Sequence, residues 1–337
     1  MNYFKEYDDT YQKMSRWLPW ACLVSPGVVE NKDGSFVGAF LYTEKKSGDN
    51  PAAIKIVREV LRAFGSGWVW WTQRRYTPEG VQNHIALSWN PRLENGCFVN
   101  YPRVIVNLPK DHADPKLAFI YALNWLEKFL NYQVDIRQLR DLELLQFLHD
   151  TVTPDITVIT MPEIPLYLDA LLSQNNSYNI SNSGLRVNNI HVKIISLLGF
   201  MDDGRELFAF LENFQYKYRF VRRLVFFSRE DACKEAKRYM NGWCEERKSI
   251  LTALDYSYNV DKVYGYFTNT LILWNEGLAL LQEICCSVQL YLENKGILSI
   301  IEEPNQVDVW LGSLPAMFRC NITPPLLELD DAAALLL

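Results

Sequence analysis

From Ile190 to Ile301 the sequence repeats one pattern: a short β-prone segment, then a helical stretch with its own start signal, then another β-prone segment. The strands read as "IHVKIISLLGF", "YKYRFVRRLVFF", "VYGYFTNTLILW" and "ILSII". Between them lie a short helix after Asp203, a long helix from Arg229 and a helix ending at Asn294. Asp203 with Glu206, and Ser228 with Asp231, have the spacing of capping boxes. This β-α-β-α-β-α-β order limits the chain to an α+β or α/β sandwich, a sheet covered by helices on one face or both.

The first half follows a similar order. Asn50-Pro51 opens a helix that runs to about Phe64 and is closed by Gly65. "GWVWWTQRRY" reads as a strand with large residues on both faces, and "YPRVIVNLP" as another. Asp114-Pro115 starts a longer helix with Leu117, Ile120, Leu123 and Leu130 at helical spacing, and "IRQLRDLELLQFLHDTV" reads as a further helix. Between 173 and 189 the chain turns polar, "SQNNSYNISNSGLRVNN", as an exposed connection does. With 337 residues, about twice a common domain length, two mixed α/β subdomains are expected. They would be an α+β pair over 1–175 and 176–329, followed by the start of a linker or helix at 330–337.

The stretch "WLPWACLVSPGVVENKDGSFVGAFLYT", residues 17–43, is the most apolar near the N-terminus. Its uncharged run, Trp17 to Val29, falls short of the roughly 20 residues a spanning helix needs, and Pro19 and Pro26 interrupt it. Acidic Glu6, Asp8 and Asp9 stand where a secretory signal would be basic. Two β-prone segments joined by Lys32-Asp33-Gly34 make a hairpin the expected outcome, with Gly34 supplying a positive φ.

Hydrophobic residues at 49 % and aromatics at 13 % give enough material for a large core. A net charge of -6 argues against a dedicated nucleic-acid binder. Seven cysteines without a C-x-x-C pair are expected to be thiols, with Cys285-Cys286 packed in the core. Gly never precedes Lys, so no Walker-type phosphate loop exists, and Gly65-Ser66-Gly67 reads as a helix stop. His84, His112, His149 and His191 are scattered, without ligand spacing. No catalytic, cofactor or metal residue is therefore expected.

One segment is locally basic. Lys217, Arg219, Arg222 and Arg223, then Lys234, Lys237 and Arg238 on the helix 229–250, could meet anionic headgroups, nucleic acid or an acidic partner. They could equally form a solvated face paired with Glu230, Asp231 and Glu235.

Four stretches are recognisable together: "LPWACLVSPGVVENKDGSFVGAFLYT", "FGSGWVWWTQRR", "RFVRRLVFFSREDACKEAKRYMNGWCEERKSIL", and "VYGYFTNTLILW" followed by "EEPNQVDVWLGSLP". In order and spacing they resemble the N-terminal domain of the CagE/TrbE/VirB family of type IV secretion and conjugative-transfer ATPases, nearest the TrbE branch. The resemblance implies an assembly and docking domain at the cytoplasmic face of the bacterial inner membrane. It also implies other inner-membrane subunits as partners, self-association, and a C-terminal motor domain that carries the ATP and Mg²⁺ chemistry. "LLELDDAAALLL" breaks off just after a helix start at Asp330 or Asp331 and is expected to lead towards that motor. The implied motor residues have no counterpart here, so this chain is expected to be inactive alone. A stand-alone nucleic-acid or adaptor module using helix 229–250 is the alternative. In "GWVWWTQRRY", Trp68 and Trp70 face one way and Trp71 the other. With Arg74 and Arg75 at the rim, one of those faces would receive a membrane subunit or a second copy, or both would be internal core.

Overall fold

The computed structural model describes residues 17–43, 51–91, 114–132, 134–154, 157–161, 167–173, 176–181, 184–199, 205–227, 264–317 and 326–328. The first β-prone segment doubles back on itself. β1 (Trp20–Ser25) and β2 (Val28–Asn31) are antiparallel neighbours, and β2 pairs with β3 (Phe36–Thr43). The expected Lys32-Asp33-Gly34 turn joins β2 to β3, with Gly34 at φ 79°. An additional turn at Pro26-Gly27 makes the hairpin a three-stranded meander. Gly27 has φ 77°, and a Cβ there would stand 2.6 Å from the Gln138 amide nitrogen and 2.8 Å from the Leu139 carbonyl. Gly27→Ala is expected to cost about 3 kcal/mol from left-handed strain plus overpacking, read as a lower urea midpoint at unchanged slope.

After the meander come α1 (Pro51–Arg62), β4 (Trp68–Thr77), β5 (Gly80–Trp89), α2 (Pro115–Leu130) and β6 (Asp135–Gln138). β5 lies between β3 and β4, and β6 adds to the other edge of β3. The spatial order β6-β3-β5-β4 for a β-α-β-β-α-β chain is the split β-α-β arrangement. α2 starts as expected, with the Asp114 carboxylate accepting from the Lys116 N–H. Of the expected apolar positions, Leu123 and Leu130 are buried together with Phe119, Ala122 and Leu126, and Ile120 packs partly buried against them, whereas Leu117 is exposed. "IRQ" forms most of β6 instead of joining the next helix, α3 (Asp141–Val152). α4 (Leu168–Ser173) follows.

The polar stretch read as a connection folds as a hairpin. β7 (Tyr178–Ser181) and β8 (Gly184–Val187) pair antiparallel and continue onto β9 (Ile190–Gly199), with Tyr178, Leu185 and Val187 buried. Then come α5 (Arg205–Asn213), β10 (Tyr218–Phe227), β11 (Tyr264–Asn275), α6 (Leu278–Asn294), β12 (Leu298–Glu302), α7 (Gln306–Gly312) and β13 (Leu326–Glu328). β11 sits between β10 and β9, and β12 lies on the far side of β9. This repeats the first arrangement: β12-β9-β11-β10 matches β6-β3-β5-β4, and β7-β8 matches β1-β2. The two halves meet where β4 pairs antiparallel with β10, from Val69↔Val225 to Tyr76↔Tyr218. The result is one 13-stranded sheet whose path reads β1-β2-β3-β5-β4-β10-β11-β9-β8-β7, an α+β architecture with every described pairing antiparallel.

Helices cover both faces. On one face α1 and α2 pack over the first half around Trp68, Trp70 and Phe119, and α5 and α6 over the second around Phe220, Leu271 and Cys285. On the other face lie α3, α4 and α7, around Trp71, Val221, Trp274 and Trp310. Cys285 is packed in the core as expected, but Cys286 on the outer side of α6 is exposed, and both are free thiols. Among the described residues no helix is long and apolar enough to cross a membrane. "YPRVIVNLP", the helix from Arg229 and both expected capping boxes lie outside the described residues.

Candidate functional site

Strand period places Gln73 and Arg75 of β4, His84 of β5, and Arg219 and Arg223 of β10 on the face covered by α3, α4 and α7. All five are buried, Arg75 at 3 %, Arg219 at 2 % and Arg223 at 2 % exposed. A guanidinium in such a place needs acceptors, and the ends of two helices provide several of them. Arg219 Nη1 donates to the Thr151 carbonyl at 2.6 Å, in the last turn of α3, and its Nη2 donates to the Ser313 hydroxyl. Arg223 Nη1 donates to the Gly312 and Met317 carbonyls at 2.6 and 2.7 Å, at the end of α7. Trp71 Nε1 donates to the Ser313 carbonyl at 2.9 Å. Helix C-termini carry partial negative charge and unmatched carbonyls, so cations beneath them are favoured.

The segment "WLGSLP" thus ends α7 and turns its main-chain oxygens onto the sheet. Trp310, Leu311 and Leu314 are buried in the same layer. Arg219 and Arg223 of "RFVRRLVFF" and the oxygens of "WLGSLP", about ninety residues apart in sequence, form one bonded unit.

Arg75 forms an ion pair with Asp150 of α3 at 3.0 Å and lies 5.9 Å from the Trp274 ring. Asp150 also accepts from Gln146 Nε2 at 2.8 Å. Arg219 stands directly across from Arg75 in the β4–β10 register. Burial, reinforced by Arg75, pushes the Arg219 guanidinium down to about 9, which leaves it charged at neutral pH. His84, with its ring 4.7 Å from Phe147, is pushed down to about 3, chiefly by burial, with Asp150 opposing and Arg75 and Arg137 reinforcing.

His84 is therefore neutral in the fold, while the unfolded chain takes up its proton near pH 6.5. Its share of stability is complete above pH 6.5 and is lost as pH falls towards 3. Between pH 6.5 and 5 the loss is expected to be about 2 kcal/mol. Urea midpoints at pH 7 and 5 test this, and His84→Gln is expected to flatten the difference.

The residues singled out from sequence are distributed as follows. Trp68 stacks on Trp89 at 5.1 Å and on Phe119 at 5.9 Å, Trp70 lies 6.4 Å from Phe64, and Trp71 meets Phe147 edge-on at 5.5 Å. All three tryptophans are fully buried in the chain's own core. The helices α1, α2 and α3 cover both faces of β4, so no tryptophan pair is presented to a partner. Arg74, half-buried, bonds the Tyr218 hydroxyl at 3.3 Å, and Arg75 lies in the interior and not at a rim. Arg222 is buried on the opposite face, where its Nε donates to Thr72 Oγ1 at 3.1 Å. Arg219, Arg222 and Arg223 of the expected basic patch are thus internal, because a strand inside a two-sided sandwich has no solvent face, while Lys217 just before the strand is exposed. Lys234, Lys237 and Arg238 lie outside the described residues. Sequence reasoning missed Asp150, Thr151, Ser313 and Trp274; the available signal was arginine alternating with Val221 in an otherwise aromatic strand.

Guanidiniums bonded to main-chain oxygens position structure and do not transfer protons, since Arg stays protonated. Among the described residues no group of three or more His, Cys, Asp or Glu could hold a metal. Gly never precedes Lys anywhere in the sequence, so it carries no Walker-type phosphate loop.

Comparison with known proteins places this framework. The conjugal transfer protein TrbE of Rhizobium radiobacter is 23% identical over 399 residues, which cover 95% of this chain and 48% of that protein. A probable conjugal transfer protein TrbE of Sinorhizobium fredii is 24% identical over 218 residues, 58% of this chain and 32% of that protein. The chain spans half or less of the length of the curated relatives it matches. Residues 131–323 match the CagE, TrbE, VirB family, component of type IV transporter system, a span that holds β7 to β12 with Arg219, Arg223 and "WLGSLP". The chain belongs to the CagE/TrbE/VirB family.

Proposed function

We propose that this chain is the assembly and docking unit of a type IV secretion or conjugal DNA transfer ATPase. It positions the motor at the cytoplasmic face of the bacterial inner membrane and contacts inner-membrane subunits of the machine. The observation that carries this reading is the alignment of nearly the whole chain with about half of a conjugal transfer protein TrbE, joined to a sequence without any Gly-Lys pair. ATP and Mg²⁺ chemistry is assigned to the part of such relatives that this chain does not span. A rigid sheet locked by buried arginines suits a unit whose task is to hold partners in register.

Co-purification tests the proposal. A tagged copy of the chain, produced in cells carrying a cognate transfer system, is expected to retrieve inner-membrane transfer subunits and a TrbE-type motor. It is also expected to give no heat on titration with ATP. Retrieval of neither class of subunit, or micromolar ATP binding abolished by a point change in this chain, would overturn it. The docking surface itself lies elsewhere than Trp68, Trp70 and Trp71, which the core occupies.

A further inference from the structure

Among the described residues, charge does not balance in the layer between the sheet and α3. Two guanidiniums, Arg75 and Arg219, are buried side by side, and one carboxylate, Asp150, answers them. Asp150 is already engaged on both oxygens, by Arg75 and by Gln146. Arg219 has no acidic partner among the described residues. Two of its five N–H groups bond the neutral Thr151 carbonyl and Ser313 hydroxyl, leaving three.

Beside Arg219 the fold leaves a partly open cleft of about 20 Å³, lined also by Asp150, Thr151, Thr153, Trp274 and Trp310. That volume has room for at least one water or an ion of similar size. Trp274 is 5 % exposed, and its indole N–H has no acceptor among the described residues. Buried donors without acceptors cost free energy comparable to a lost hydrogen bond, and a buried unbalanced cation costs more. Among the described residues, the cleft thus combines one uncompensated buried cation, an unanswered N–H donor and room for one small group.

We propose that this cleft is a binding site for a small monovalent anion, chloride- or formate-sized, held by the Arg219 guanidinium and the Trp274 indole N–H. The anion completes the charge balance between β4, β10 and α3, and so couples the junction of the two halves of the sheet to small-anion concentration. Asp150 does not repel it decisively, because the Arg75 and Gln146 bonds hold that carboxylate.

Excess ³⁵Cl line width in solutions of this chain measures the site. Wild-type protein is expected to broaden the chloride signal, and formate or bromide is expected to reverse the broadening while gluconate at equal ionic strength does not. Arg219→Met, which removes the cation and keeps the volume, is expected to abolish the specific broadening. Trp274→Phe, which removes only the N–H, is expected to weaken chloride binding about tenfold and decides the matter if Arg219→Met fails to fold. Arg137→Gln, at an exposed ion pair with Glu143, is the control and is expected to bind chloride as wild type does. Absence of displaceable broadening in the wild type, or undiminished chloride affinity in folded Arg219→Met or Trp274→Phe, would overturn the proposal.

Discussion

Alanine at Trp70 or at Trp71 is expected to lower folding stability by about 3–5 kcal/mol, the usual cost of removing a buried aromatic. The two residues point to opposite faces of β4 and each is fully buried. Trp70 lies within the α1–α2 layer near Phe64, and Trp71 packs against Phe147 of α3 while donating to the Ser313 carbonyl. Trp71→Ala therefore also leaves that buried oxygen without its donor and should be the costlier of the two. Trp71→Phe, which restores most of the ring but not the N–H, should recover more than half of the loss. Urea unfolding of the separate variants reads the effect; near-native stability for either would mean that its face of β4 is not core.

Asp150→Ala is expected to cost about 3 kcal/mol, because it strips the buried Arg75 guanidinium of its carboxylate. Arg75 Nε and Nη2 already lack acceptors among the described residues, so the guanidinium has nothing else to turn to. The double variant Asp150→Ala with Arg75→Met should be markedly more stable than Asp150→Ala alone. The liability is the orphaned charge, and an apolar replacement of similar volume removes it. A double variant no better than the single one would show that Asp150 acts through its Gln146 contact or through α3 itself, and not through Arg75.

Local chemistry was the legible part of this fold. Asp114-Pro115 announced α2 because a capping carboxylate and a proline both suit a helix start, and β10, β11 and β12 were legible as β-rich runs bounded by helix signals. Pairing was not legible. Strand-helix alternation is compatible with parallel or antiparallel sheets, and only the spatial order reveals two split β-α-β units joined at β4 and β10. The β7–β8 hairpin hid behind its Asn and Ser content, since strands near a sheet edge need few apolar residues. β6 is four residues long and flows directly into a helical pattern, so its period was absorbed by α3.

The arginines were misplaced for a different reason. A count of charges assigns Arg219, Arg222 and Arg223 to solvent, but a strand covered on both faces must bury whatever it carries. The acceptors that make this tolerable are main-chain oxygens, which no side-chain pattern displays. "WLGSLP" was conspicuous as a string, and its meaning, a helix end aimed at two cations, exists only once β10 and α7 are packed together. The tryptophans of β4 were ambiguous between core and interface in sequence, and the helices on both faces resolve them as core.

The central claim is that this chain occupies a docking position in a transfer machine without powering it. Overproduction of the chain in a donor cell that carries a cognate transfer system tests this directly, with conjugal transfer frequency as the readout. An unattached docking unit competes with the complete TrbE-type protein for its partners, so transfer is expected to fall at least tenfold. The Trp71→Ala variant, whose fold is weaker by about 3–5 kcal/mol, should interfere less than the wild-type chain. Unchanged transfer frequency, with the folded chain present in excess over the complete protein, would contradict the account.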